Sequence, residues 1–269
     1  MTTARSTPHT TTSADGTEIV RWSSGAGPPL LLVHGAMSDH RRWRIVPHLT
    51  PHATVHAMDR RGRGESGDAL EWSLDREVAD IVAVVDAIAD ESGSPVDVLG
   101  HSLGGLLTLR AALDTSNIRR LVVYEPSVNE LACSPQTIAA MEAHLGRGDR
   151  AAAVRTMMRE IVLMPEGEIE YLESLPSWHT RLAAAHTLPR ELGTDLVMRP
   201  ADLRQITVPV VSILGGDSPE SVQAAAHMMA ANVPRHQLIV IEGQQHVADQ
   251  VVPEEFARHV LRFLRDEAR

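Results

Sequence analysis

Apolar positions along the chain fall into two alternating kinds of run. Short, mostly continuous stretches occur at Pro29–Val33, Ala53–Met58, Val96–Leu99, Arg119–Tyr124, Val208–Leu214 and Gln237–Ile241. Such runs predict strands buried on both faces of a parallel sheet. Longer segments between them carry apolar residues every three or four positions. In Leu74–Glu91 these are Val78, Ile81, Val82, Val85 and Ile88, a stripe that predicts a helix lying against the sheet, stopped by Ser92-Gly93-Ser94-Pro95. The same reading places helices at Arg41–Leu49, Leu106–Leu113, Pro219–Ala231 and Pro253–Glu267. Near the N-terminus, His9–Ser13 and Thr17–Ser23 flank Ala14-Asp15-Gly16, the pattern of a hairpin, and residues 1–8 are expected to be disordered.

The alternation breaks once. From Ser127 to about Arg204 strand signals vanish, and helices are predicted in succession at Pro135–Leu145, Arg150–Leu163, Gly167–Leu175, Trp178–Thr187 and Pro189–Leu196. The chain therefore reads as α/β, with a mostly parallel, doubly wound sheet and an all-helical insertion. Residues 1–126 and 205–269 form the expected core, and 127–204 a helical cap.

The stretch Val96–Gly105 carries the first chemistry. A β-branched run stops at Gly100-His101-Ser102-Leu103-Gly104, and a helix-forming run follows at once. A serine between two glycines at a strand-to-helix turn is held with its hydroxyl above the strand ends, over backbone N–H groups that suit an oxyanion. A serine hydroxyl needs a base, and the base needs an acid to orient it. Ile241-Glu242-Gly243-Gln244-Gln245-His246 follows the last strand, where a histidine can swing back over Ser102, so His246 is the candidate base.

Two carboxylates compete for the acid. Glu125 closes the strand after the elbow, pinned by Pro126, where a charge needs a partner. Asp217 lies in Leu214-Gly215-Gly216-Asp217-Ser218-Pro219, with an alternative role beside a helix N-terminus. Glu125 is preferred and Asp217 stands as the alternative. Leu103, directly after the nucleophile, and Ala36, in His34-Gly35-Ala36 after an early strand, are the expected oxyanion donors. In the helical insertion Trp178, Met157, Met158 and Met164 are candidate pocket linings, together with Trp43 near the oxyanion loop; such a lining suits a mainly apolar, uncharged substrate.

Composition narrows the field. The 269 residues include no lysine, which removes Schiff-base chemistry and a P-loop together. A formal charge of −10 argues against nucleic-acid binding. Gly62-x-Gly64-x-x-Gly67 satisfies a dinucleotide fingerprint literally, but a polar loop follows where a long helix is required. His48, His52 and His56 recur every four residues, yet Pro47 and Pro51 break the helix that a shared metal face would need. The single cysteine, Cys133, reads as a small apolar residue. No apolar run is long enough to span a membrane, and the Thr/Ser-rich stretch Met1–Asp15 lacks the apolar centre of a signal peptide, so the expectation is a cytoplasmic protein, monomer or homodimer, without membrane contacts.

Taken in order, His34-Gly35-Ala36, Asp59-Arg60-Arg61-Gly62-Arg63-Gly64-Glu65-Ser66, Gly100-His101-Ser102-Leu103-Gly104-Gly105 and Gly243-Gln244-Gln245-His246 resemble the α/β-hydrolase superfamily over roughly Ile19 to Leu264. The resemblance implies the α/β-hydrolase fold, a Ser-acid-His triad, a helical cap after the Glu125 strand, no metal and no cofactor. Most members carry the acid as Gly-x-x-Asp after the penultimate strand, where this chain has Ser218. Through Tyr124-Glu125-Pro126 and Gly215-Gly216-Asp217-Ser218-Pro219 it is similar to the zearalenone lactone hydrolase-like branch, which places a glutamate after the strand following the elbow. The activity implied is hydrolysis of a small-molecule carboxylic ester or lactone. Carbon–carbon bond hydrolysis with the same triad, or a non-hydrolytic ligand-binding or cyclase role, are the alternatives.

Overall fold

A computed structural model describes residues 6–128 and 133–265. Its eight strands are β1 (Thr7–Thr12), β2 (Glu18–Gly25), β3 (Pro29–Val33), β4 (Thr54–Met58), β5 (Val96–His101), β6 (Ile118–Tyr124), β7 (Val210–Gly215) and β8 (His236–Ile241). They form one sheet in the order β1-β2-β4-β3-β5-β6-β7-β8. The β1–β2 and β2–β4 pairs are antiparallel, and every later pair is parallel.

Alternation along the central strands divides the core. Leu31, Val33, Val98, Leu121 and Val123 face the helices Leu74–Ser92, Leu103–Asp114 and Glu220–Asn232. Leu30, Leu32, Leu99, Val122 and Tyr124 face the opposite layer, where helix Pro253–Arg265 contributes Phe256, Val260 and Phe263. The period-two side-chain geometry of a strand requires this split, and burial on both sides explains why the strands read as continuous apolar runs. Helix Leu74–Ser92 starts at Ser73, whose side chain accepts the Arg76 N–H, and stops at Gly93 with φ 65°.

The segment between β6 and β7 holds only helices among the described residues, the main ones being Pro135–Gly146, Arg150–Thr156, Glu166–Ser174, Trp178–Ala184 and Leu188–Leu192. Their apolar faces close on Met141, Val154, Met157, Met158, Ile169, Leu172, Leu188 and Leu192. No described helix is long and apolar enough to cross a membrane.

Three sequence expectations are corrected. Of the expected disordered tail, Thr7 and Pro8 belong to strand β1, paired with Ser23 and Trp22 of β2; residues 1–5 lie outside the described residues. The expected helix Arg41–Leu49 is two short turns, His40–Arg42 and Val46–Leu49, separated at the extended, buried Trp43 and restarted by Pro47. The expected helix Arg150–Leu163 is regular only to Thr156 and then widens into a π turn over Met157–Ile161. Such turns distort the regular ladder and are common at functional sites.

Candidate active site

Ser102 sits between the C-terminal end of β5 and helix Leu103–Asp114 with φ 54° and ψ −123°. A non-glycine residue in this region is strained, and the strain holds the hydroxyl clear of the turn. The flanking glycines make room for it. A Cβ on Gly104 would lie 2.4 Å from the carbonyl oxygens of Val33 and His34, and one on Gly100 2.5 Å from Thr108 Oγ1. The turn is secured by Ser102 N–H to Tyr124 O at 2.9 Å.

Glu125 follows β6, also at positive φ (42°), and is buried. Its Oε2 receives His246 Nδ1 at 2.7 Å. Its Oε1 receives the Gly215 N–H at 2.8 Å and the Ser218 hydroxyl at 2.5 Å. Burial alone would raise the Glu125 carboxyl, but the hydrogen bonds from His246, Ser218 and Gly215 outweigh it and hold the carboxyl below its ordinary range. Asp217 is exposed; its backbone N–H reaches Gln244 O at 3.0 Å, and no hydrogen bond connects its carboxylate to His246. Ser218, at the position where the resemblance expects an aspartate, hydrogen-bonds the glutamate that reaches His246 from the neighbouring strand.

The loop bearing His246 is pinned from below. Tyr124 Oη donates to Gln245 O and accepts the Ala248 N–H at 2.8 Å. His101 Nε2 donates to His246 O at 3.0 Å, while its Nδ1 faces the Arg42 guanidinium. Burial first, and then Arg42, keep the His101 imidazole well below its ordinary pKa, hence neutral. Arg42 is in turn held by both Asp249 oxygens at 2.7 Å. Sequence reading missed Ser218, Tyr124, His101, Arg42 and Asp249 as supports. Only Ser218 carried a signal, as a hydroxyl where the resemblance calls for an acid.

Ser102, Glu125 and His246 line one cavity of about 200 Å³. No hydrogen bond joins Ser102 to His246; Ser102 Oγ has Ser127 Oγ as its neighbour at 3.4 Å. On the oxyanion side, Leu103 opens its helix, so its N–H has no acceptor within that helix. Gly35 is close enough to the serine that a Cβ on it would lie 2.9 Å from Ser102 Cβ, which brings the Gly35–Ala36 peptide beside the elbow.

Of the expected pocket residues, Met157 and Met164 line the cavity. Met158 is fully buried inside the helical insertion, and Trp178 packs against that same cluster. Trp43 lies under the sheet with Leu30, Leu32 and Ile45. All three were expected from residue type and proximity in sequence, which do not specify the face a side chain occupies. Glu160, Ile161, Val162, Leu163 and Glu168 were not expected and line the cavity, presented by the π turn and the segment after it. Cys133 is half-buried and free.

Among the described residues, Asp39, His40 and Asp59 form a group whose possible metal-ligating atoms lie within 4.8 Å of one another. Protein donors already occupy both carboxylates: Asp39 accepts from Arg41, and Asp59 from His40 and the Glu65 N–H. The glycine-rich loop Gly62–Gly67 wraps this buried aspartate, and a Cβ on Gly64 would lie 2.2 Å from Asp59 Cγ. Its glycines serve the turn.

Residues 30–259 match the alpha/beta hydrolase family. The chain is 27% identical over 198 residues to lipase LipV of Mycobacterium tuberculosis, covering 68% of this chain and 73% of the relative. It is 27% identical over 219 residues to 2-hydroxy-6-oxo-2,4-heptadienoate hydrolase of Pseudomonas putida, covering 76% and 77%. The crystal structure of an alpha/beta hydrolase from Sphaerobacter thermophilus superposes with a TM-score of 0.84 at 33% identity, covering 95% of this chain and all of that one.

Proposed function

The chain belongs to the alpha/beta hydrolase family, and from that premise we propose that it cleaves a neutral carboxylic ester or lactone through an acyl-enzyme on Ser102. The observation that carries the reading is the 2.7 Å contact of His246 Nδ1 with buried Glu125, in the cavity that Ser102 also lines. With Nδ1 committed to Glu125, Nε2 is the nitrogen left to take the Ser102 proton as Oγ adds to the carbonyl carbon. The tetrahedral oxygen is received by the Leu103 and Ala36 N–H groups. His246 then gives the proton to the departing alkoxide, and water repeats the sequence to free the acid. In a lactone the leaving oxygen stays on the product.

The cavity wall favours a neutral substrate. Val128, Met157, Ile161, Met164 and Val222 make it apolar, and besides the triad its acidic lining side chains are Glu160 and Glu168; no arginine lines it among the described residues. A carboxylate placed there would face carboxylates without a cation to pair with. This favours ester or lactone cleavage over the carbon–carbon alternative in the form the Pseudomonas relative's name describes, a dienoate. The helices between β6 and β7, which with the segment after the π turn supply Met157, Glu160, Ile161, Met164 and Glu168 to this wall, act as the cap.

The test is a panel: a neutral p-nitrophenyl ester, a neutral macrocyclic lactone and a 2-hydroxy-6-oxo-dienoate. The reading expects turnover of at least one of the first two with kcat/KM more than about tenfold above the dienoate. Preferential cleavage of the dienoate would assign the carbon–carbon reaction instead.

A further inference from the structure

The cluster of buried charges where the cap meets the core has no part in proton transfer, yet it touches the oxyanion loop directly. Arg60 is 1% exposed and makes contacts in four directions. Its Nη1 donates to Gly35 O at 3.1 Å, its Nε to Glu77 Oε2 at 2.7 Å and its Nη2 to Glu191 Oε1 at 2.6 Å. Its backbone N–H donates to His34 Nε2 at 3.1 Å, and the other nitrogen of that ring, Nδ1, meets Gly35 O at 2.8 Å. His34 is buried and neutral, its pKa driven well below the ordinary value by burial and then by Arg60. With Nε2 accepting, Nδ1 carries the proton and donates. The Gly35 carbonyl therefore accepts two hydrogen bonds from buried groups.

That carbonyl shares a rigid trans peptide with the Ala36 N–H, and the two point in opposite directions. Fixing the oxygen fixes the direction of the N–H. The next residue is held from the cap side: Met37, at φ 54° and 5% exposed, packs into the cap's apolar cluster. Glu191 belongs to the cap helix Leu188–Leu192 and also pairs with Arg63, whose Nη2 reaches cap residue Thr187 at 3.0 Å. The joint is not saturated, since Glu191 Oε2 and Arg63 Nε are buried without partners.

We propose that Arg60 is a positioning residue that aims the Ala36 N–H into the oxyanion hole, and that its pairing with Glu191 makes formation of the hole depend on the seating of the cap. This deepens the ester or lactone reading and rests on it for its consequences in turnover. A cap displaced from Glu191 takes away one anchor of Arg60 and the socket of Met37 together, so the hole is complete only under a seated cap.

The experiment compares wild type with Glu191→Gln, Arg60→Met and the double variant Arg60→Met/Glu191→Gln. Arg60→Met leaves Glu77 and Glu191 facing Arg63 alone. The double variant restores equal charge, with Glu77 against Arg63, while Gly35 O keeps one donor. Three quantities are read: melting temperature, kcat and KM on a neutral aryl ester, and amide hydrogen exchange over residues 34–38. The double variant is expected to melt within a few degrees of wild type, with kcat lowered about tenfold or more, KM changed less than about threefold and exchange over 34–38 at least about tenfold faster. Glu191→Gln is expected to fall between it and wild type in kcat and exchange. If kcat and exchange return to wild-type values as the melting temperature recovers, Arg60 is only structural and the proposal is overturned. A wild type that hydrolyses no ester or lactone overturns the ester reading instead; exchange over 34–38 still decides the clamp.

Discussion

His246 Nδ1 lies 2.7 Å from Glu125 Oε2, whereas Asp217, two residues past the end of β7, is exposed and hydrogen-bonds the His246 loop only through its backbone. Glu125→Gln keeps the side-chain volume and removes the charge that holds the imidazole tautomer. It should lower kcat on a neutral ester by about 10²–10⁴-fold, while Asp217→Asn should change it less than about threefold. Steady-state kinetics of the two variants side by side check the assignment.

Ser218 and the Gly215 N–H both stabilise the ionised form of Glu125. Removing the hydroxyl in Ser218→Ala therefore raises the Glu125 pKa. The site then loses its carboxylate at a higher pH, and the acid limb of the kcat/KM profile should move upward, with a loss of about three- to tenfold at neutral pH. An unmoved acid limb would show that the hydroxyl contributes only packing.

Gly104 and Gly146 provide a contrast in stability. A Cβ at Gly104 meets two carbonyl oxygens at 2.4 Å, whereas nothing lies within 4 Å of one at Gly146. Gly104→Ala should cost about 3 kcal/mol or more, or prevent folding, because backbone cannot yield as a side chain does. Gly146→Ala, at the end of helix Pro135–Gly146, should be neutral or stabilising by up to about 1 kcal/mol. Urea denaturation measures both.

His56 gives the acid response of the fold. It is 6% exposed on β4, and burial, then Arg21, lower its pKa from 6.5 to about 4. Between those values the unfolded chain binds the proton more readily, so stability is constant above about 6.5 and falls as the pH drops toward about 4. Its Nδ1 has no partner to lose. His56→Leu should reduce the loss in melting temperature between about pH 7.5 and about pH 5 by a few degrees, since the group contributes on the order of 2 kcal/mol over that interval. An identical loss in variant and wild type would contradict this.

The strands and the helix Leu74–Ser92 were legible in the sequence because burial on two faces, or on one stripe, leaves a periodic record in residue type. Ser102 and His246 were legible because turns at strand ends must be made of particular residues in a particular order. The supports were not. Arg42 and Asp249 are 207 positions apart and Glu125 and Ser218 are 93 apart, so each pair exists only once the sheet has formed. Trp43 shows the reverse error: it is near the oxyanion loop in sequence, but lies beneath the sheet. The side chains of a short turn point wherever the adjoining strand directs them, and a list of residue types does not record that direction.

The central claim is that Ser102 is a nucleophile activated by His246. Peptide mapping after treatment with a fluorophosphonate, timed for wild type and for His246→Ala, tests it most directly. The account predicts one covalent adduct, on Ser102, forming at least about 10²-fold more slowly in the variant. No adduct on Ser102, or one that forms equally fast without His246, would contradict it.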